Sequence, residues 1–131
     1  MTIGTLLLTA IVVAIMFFNN VTQGTGVASE EVRNLVSNAS NDANNILTEL
    51  STNPELKKNK EYLSTQLELV IVNQQDYKEL EHEDWGEFHD RKKLTRNVLI
   101  DSEKILQSYL KGENPKDSLQ DLGEEYNTLT E

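Results

Sequence analysis

A chain of 131 residues has room for one domain and a short appendage, and its 22 acidic and 12 basic residues give a net charge of −10. Such a charge repels a phosphate backbone, so the sequence argues against nucleic-acid binding. The chain contains no cysteine, which excludes disulfide bonds, a thiolate nucleophile and a cysteine-based zinc site.

The first element is an apolar segment. No residue from Ile3 to Phe18 is charged, and the first charged side chain is Glu30. A helix over residues 1–21 would be about 31 Å long, which matches the ~30 Å hydrocarbon layer of a membrane. We therefore predict that residues 1–21 form a single transmembrane anchor in the lipid bilayer or a signal segment, and that residues 22–28 form a flexible linker. The large apolar residues expected in the bilayer are Leu6, Leu7, Leu8, Ile11, Val12, Val13, Ile15, Phe17 and Phe18.

The sequence leaves two fates open for this segment. Gly26 and Ala28 are small residues at positions that suit a signal-peptidase cut near Ala28. An uncleaved anchor is favoured, because no basic residue precedes the apolar run and ten residues separate that run from the cut. A Gly/Thr/Asn-rich linker after such a start favours export. We expect a single-pass membrane protein whose C-terminal domain is extracytoplasmic, with secretion after cleavage as the alternative.

The stretch "IGTLLLTAIVVAIMFF" resembles the polymerising N-terminal helix of archaellins and, more loosely, of type IV pilins. The resemblance implies a structural subunit that forms homo-oligomers through its apolar helix. The chain departs from these families, because it lacks their basic leader and has Thr9 at the fifth position after Gly4, where pilins carry glutamate. Archaellins also continue into a β-rich domain, whereas the remainder here has helical spacing. Assembly is therefore kept as the alternative function.

Residues 29–131 are predicted to form an acidic helical bundle. In the first helix the apolar residues recur at steps of 3 and 4, which indicates one buried face: Val32, Val36, Ala39, Ala43, Ile46 and Leu50. Asn53 is predicted to cap a second helix that begins at Pro54 and ends near Asp84. Its inward residues are Leu56, Leu63, Leu67, Val70, Tyr77 and Leu80, and its centre contains a β-like patch, "LELVIV".

Two further helices follow a break at Gly86. The inward residues of the third are Leu94, Val98, Leu99, Ile105, Leu106, Tyr109 and Leu110. Gly112 fits a left-handed stop after this helix, and Asn114 and Pro115 are predicted to cap and begin the last one. The last helix carries Leu119, Leu122, Tyr126 and Leu129. Short connections make neighbouring helices antiparallel, so we predict an all-α fold with an antiparallel three- or four-helix bundle.

No set of residues forms a recognisable catalytic arrangement. The only histidines are His82 and His89, and Glu79-x-x-His82 is half of a di-metal carboxylate motif without its second copy. The chain has no glycine-rich phosphate loop, no nucleophile elbow and no calcium-loop spacing. The sequence therefore predicts a non-enzymatic protein without a metal or cofactor.

The segment "EHEDWGEFHD" is the most unusual part of the chain. One interpretation makes it a partner-binding surface, with Trp85 and Phe88 as apolar anchors. The acidic residues around them would attract a basic protein: Glu81, Glu83, Asp84, Glu87 and Asp90. The other interpretation, which is the favoured one, buries both rings at the end of the core and leaves the acids merely solvated. A divalent cation on these carboxylates and imidazoles is a third, weaker option.

The basic runs "KKNK" and "RKKLTR" open the second and third helices. In an antiparallel pair these starts lie at opposite ends, so the runs are predicted to be separate solvated faces. The sequence as a whole favours a membrane-tethered interaction protein, acting as an adaptor, inhibitor or regulator outside the cytoplasm. A structural subunit is the main alternative, and a secreted ligand-binding or enzymatic domain is a less favoured one.

Overall fold

The computed structural model describes residues 27–131, so the predicted anchor 1–21 and residues 22–26 of the linker lie outside the described residues. Helix α1 spans Glu30–Asn44 and continues through a wider π-helical turn, Asn45–Glu49, and a last turn, Leu50–Thr52. Three more helices follow: α2 at Lys60–Leu80, α3 at Lys92–Leu110 and α4 at Lys116–Leu129. Short 3₁₀ helices at Pro54–Lys58 and Gly86–Arg91 precede α2 and α3.

The four helices pack as a bundle in which α1 contacts the other three, and α3 lies between α2 and α4. Hydrogen bonds between helices pair residues in opposite order along the chain. Between α1 and α2, Asn73 pairs with Asp42 and Tyr62 pairs with Glu49. The prediction of an all-helical bundle is confirmed, and residues 27–131 contain four helices and no strand.

The predicted inward positions either form the core or pack against it as partly buried residues. All six residues of the α1 seam are buried, together with the intervening Leu35. The α3 residues Val98, Leu99, Ile105 and Leu106 are buried against them. The β-like patch of α2 is helical, because the inward residues on both sides of it are held by the core. Its remaining apolar side chains, those of Leu69, Ile71 and Val72, are partly exposed.

Both Asn-Pro pairs act differently from the prediction. Pro54 begins only a short 3₁₀ helix, and Asn53 makes no capping hydrogen bond with its side chain. Asn59 has an extended backbone and separates this 3₁₀ helix from α2. The Asn59 side chain caps α2 by accepting a hydrogen bond from the Tyr62 N–H. Helix α2 ends at Leu80 rather than near Asp84.

The second pair is displaced by one position. Pro115 is buried and occupies the cap of α4, with Lys116 as the first helical residue, and it cannot supply a capping side chain. Its carbonyl oxygen accepts the first backbone hydrogen bond of the helix, from the Leu119 N–H at 2.9 Å. Asn114 therefore does not cap α4.

Gly112 ends α3 in the predicted left-handed conformation, with φ at 77°. The Gly112 N–H donates to the Tyr109 carbonyl, and the Glu113 N–H donates to the Ser108 carbonyl at 2.8 Å. These two hydrogen bonds are those of a Schellman motif, and they satisfy carbonyls that the end of a helix would otherwise leave unpaired.

We expect Gly112→Ala to lower the free energy of unfolding by about 1 kcal/mol, because an L-residue is strained at this φ. An added Cβ would meet no atom within 4 Å, so the strain would come from the backbone alone. Gly123→Ala is the matched control, since Gly123 lies within α4 and its Cβ would also meet nothing. There the free energy should instead rise by about 0.5–1 kcal/mol. Chemical denaturation of both variants measures the difference, and equal changes would contradict the assignment of strain to Gly112.

None of the helices within residues 27–131 is both long enough and apolar enough to cross a membrane.

Candidate functional site

Three parts of the chain meet at one end of the bundle: the start of α1, the connection between α2 and α3, and the end of α4. The Ala28 N–H donates to Glu87 in the connection at 3.0 Å. The Arg91 side chain donates to the backbone carbonyl of Leu129 at 3.3 Å. We call this the proximal end, because the chain enters the bundle here from its N-terminal segment. The connection contains the sequence EHEDWGEFHD, residues 81–90, which we call the acidic connection.

Trp85 fixes the acidic connection to the core. Its side chain is only 1% exposed, and its ring meets the Tyr77 ring edge-on with 5.7 Å between centroids. The indole N–H donates to the Leu80 carbonyl at 3.0 Å, which satisfies a backbone acceptor at the end of α2. The Lys92 ammonium lies 5.9 Å from the centre of the indole. Trp85 is therefore a core residue, as the favoured interpretation of the sequence expects.

Phe88 is half-buried and packs on the edge of the core. The Arg91 guanidinium lies 5.8 Å from the centre of its ring, at a distance typical of a cation–π contact. Of the two predicted anchors, Phe88 alone retains a part of its ring at the surface.

Glu87 joins the acidic connection to the start of α1 at the proximal end. Its carboxylate accepts hydrogen bonds from the Ala28 N–H and, at 2.9 Å, from the Arg33 guanidinium. Hydrogen bonds from the backbone N–H groups of Ala28 and of Glu87 itself, together with the Arg33 charge, lower the pKa of Glu87. Ala28 is itself buried, so the bundle begins one residue before the predicted boundary.

The other four predicted acidic residues, Glu81, Glu83, Asp84 and Asp90, are exposed, as is Glu87. The backbone that carries them is held in place by short-range contacts. The Asp84 carboxylate accepts from the Gly86 N–H at 2.9 Å, and Gly86 has a φ of 50° that suits glycine. The Lys92 ammonium donates to the Glu81 carbonyl. The structure thus displays five carboxylates on a connection whose conformation is fixed by Trp85, Gly86 and Lys92, and Glu87 alone among them is paired with the start of α1.

A groove of about 520 Å³ runs between α2 and α3 and adjoins the acidic connection at Glu81. Its floor includes Tyr77, Leu99 and Ile100. The charged residues that line it are of both signs: Lys78, Glu81, Arg96, Glu103 and Lys104. Sequence reasoning missed this groove, because its lining comes from two helices and only their packing brings the residues together.

Within residues 27–131 no group of three or more histidine, aspartate or glutamate side chains is arranged to hold a metal ion. His82 and His89 are both exposed, on either side of the buried Trp85. The chemistry that the acidic connection offers is therefore electrostatic: negative charge on a fixed surface, next to a half-buried aromatic ring and an open groove.

The chain matches no protein-family model, and neither a curated protein nor a solved structure is significantly similar to it.

Proposed function

We propose that this protein is a membrane-tethered, non-enzymatic interaction protein, an adaptor, inhibitor or regulator that binds a basic protein partner outside the cytoplasm. The observation that carries the proposal is the fixed display of exposed carboxylates on the acidic connection. All five of its acids are exposed, and hydrogen bonds from Glu87 and Trp85 hold the connection to the bundle. A surface that is already ordered loses little conformational entropy when a partner binds.

The position of the acidic connection fits a tethered protein. Ala28 and Glu87 are joined by a hydrogen bond, so the chain enters the bundle directly beside the acidic connection. An anchor in residues 1–21 would hold this surface near the bilayer. The opposite end of the bundle would lie about 34 Å away, the length of a 23-residue helix such as α1 with its last turns. The partner would then present its basic region close to the membrane.

The burial of Ala28 supports an anchor over a cleaved signal. A cut after Ala28 would remove a side chain that the core buries and an N–H group that binds Glu87. Of the two hydrogen bonds that join the start of α1 to Glu87, only the one from Arg33 would then remain. Retention of the N-terminal segment keeps the start of α1 and the acidic connection joined.

Opposite charges mainly accelerate association and select the partner, since exposed ion pairs contribute little to affinity. In this proposal the half-buried Phe88 supplies the apolar contact, and the adjoining groove accepts a side chain of the partner. Trp85 acts indirectly, by holding the connection in shape.

The experiment uses the full chain in its native membranes. We expect the protein to remain with the membranes in high salt and to crosslink to a basic protein. The variant Glu83→Gln with Asp90→Asn should slow association about tenfold, because it removes two exposed charges from the acidic connection. The control Glu55→Gln with Glu61→Gln removes two exposed charges near the opposite end and should leave the rate unchanged. Crosslinking with mass spectrometry identifies the partner, and association kinetics at two salt concentrations compare the variants.

Two results would contradict this proposal. If the full chain dissolves without detergent, it is not tethered. If the two double variants slow association equally, the acidic connection is not the binding surface. Large homo-oligomers that dissociate when Leu7 or Val12 is replaced by a charged residue would instead favour the alternative, a structural subunit that assembles through its apolar helix.

A further inference from the structure

Four lysines surround a pocket at the end of the bundle opposite the acidic connection. The pocket has a volume of about 570 Å³ and lies between the chain that precedes α2 and the end of α3. We call it the lysine pocket. Its lining consists of Lys57, Lys58, Lys60, Leu63, Tyr109, Leu110, Lys111, Gly112, Glu113 and Asn114.

Only the tertiary structure assembles these lysines. Three of them come from "KKNK", which the sequence predicts to be a solvated face, and Lys111 is isolated in the sequence. The 3₁₀ helix Pro54–Lys58 packs against α3, and the Schellman turn at Gly112 ends α3 beside it. The Lys57 ammonium lies 5.7 Å from the centre of the Tyr109 ring, which joins the two parts of the pocket.

The positive charge in the lysine pocket is not neutralised by ion pairs. Within residues 27–131 both ion pairs involve Arg33 at the proximal end, so no carboxylate lies within 4 Å of these four ammonium groups. Glu113 is the only acidic residue in the lining. Four of the 12 basic residues of a chain with a net charge of −10 are thus gathered around one concavity.

Like charges gathered around a concave surface focus a positive potential into it and concentrate anions there. Lysine ammonium groups are common phosphate ligands, and the volume lies within the range of ~300–1,000 Å³ that small-ligand sites occupy. The N-terminus of α2, which begins at Lys60, adds the positive end of a 21-residue helix. We propose that the lysine pocket binds a small anion that carries more than one phosphate group. This site is independent of the acidic connection and of the proposed partner.

The test measures binding of inorganic tripolyphosphate to the full chain in neutral detergent, by titration calorimetry. Binding is expected to weaken as salt rises. The variant Lys58→Gln with Lys111→Gln should lower the affinity at least tenfold, because it removes one charge from each side of the pocket. Both side chains are exposed, so the fold should be retained, which circular dichroism checks. The control variant Lys93→Gln with Lys104→Gln makes the same change in net charge at exposed positions outside the pocket, and it should bind as the parent does.

A second arm identifies the source of the phosphate. The full chain in neutral detergent is titrated with tripolyphosphate in the absence and in the presence of a short-chain phosphatidylinositol bisphosphate, whose headgroup carries more than one phosphate group and can reach the pocket from solution. Equal affinities would support a soluble phosphate ligand. A loss of affinity in the presence of this lipid that the double variant Lys58→Gln, Lys111→Gln abolishes would support a lipid headgroup in the same pocket. Absence of tripolyphosphate binding in detergent, or an equal loss of affinity in the control variant, would overturn the proposal while leaving the acidic connection untouched.

Discussion

Replacement of Trp85 by alanine is expected to lower the free energy of unfolding by about 3–5 kcal/mol, the range found for large aromatic side chains removed from a core. Trp85 is 1% exposed, so its replacement by alanine leaves a cavity in the core. The change also removes the edge contact with Tyr77 and leaves the Leu80 carbonyl without its indole donor. Chemical denaturation of the full chain in detergent, followed by circular dichroism, measures the effect.

Two further variants separate the contributions. Trp85→Phe keeps an aromatic ring but loses the hydrogen bond to Leu80, so its cost should be smaller than that of Trp85→Ala. Phe88→Ala is the second comparison, because Phe88 is only half-buried and should also cost less. A folded Trp85→Ala variant of parent-like stability that fails to capture a partner would contradict the core assignment. It would restore the interpretation of Trp85 as a binding anchor.

The bundle is expected to lose stability as the pH rises from about 4 to about 8, mainly because two acids have raised pKa values when the protein is folded. Burial raises the pKa of Asp42 from 3.8 to about 6, against the opposing hydrogen bond from Asn73 at 2.6 Å. The folded protein therefore holds this proton more tightly than the unfolded chain does. The stabilisation is complete below about pH 4 and is lost as the pH passes 6, at a cost of roughly 3 kcal/mol for a shift of about two units.

Glu125 extends the effect to higher pH. Burial, together with the hydrogen-bonded and negatively charged Asp101 carboxylate, raises the pKa of Glu125 to about 8. Burial and the nearby Glu79 also raise the pKa of Asp76. Glu87 acts in the opposite direction, because its pKa is lowered and its contribution is lost as the solution becomes acidic. Stability should therefore be greatest at mildly acidic pH and should decline towards pH 8.

The variant Asp42→Asn tests the contribution of the more deeply buried of the two acids. An amide at this position has no charge to bury, so the free energy of unfolding near pH 7.5 should rise by up to roughly 3 kcal/mol, and its decline between pH 4 and 6 should flatten. Glu68→Gln is the control, since Glu68 is exposed on α2 and its neutralisation removes a charge without changing the core. Melting temperatures measured across the pH range compare the variants. A parent protein that grows more stable from pH 5 to pH 8 would show that this assignment of the two raised pKa values is wrong.

The sequence by itself determined the class of the fold and the buried face of each helix. The regular steps of α1, from Val32 to Leu50, sufficed because one face of an isolated helix is set by spacing alone. The left-handed stop at Gly112 was also predictable, since few residues other than glycine adopt that backbone conformation without strain. The helix starts were less accessible. The sequence predicts Asn53 as the cap of the second helix, whereas in the structure the Asn59 side chain caps α2.

Tertiary structure alone decided which unusual residues are structural and which are exposed. EHEDWGEFHD was compatible both with a binding surface and with a core cap, and the structure divides it, with Trp85 buried and all five carboxylates exposed. No local sequence pattern predicts the hydrogen bond between Ala28 and Glu87, or the placement of Lys57 and Lys111 around one pocket. In each case the two residues are more than 50 positions apart in the chain. Local spacing determines which side of a helix is apolar, whereas burial and charge clustering depend on distances between helices that no single segment encodes.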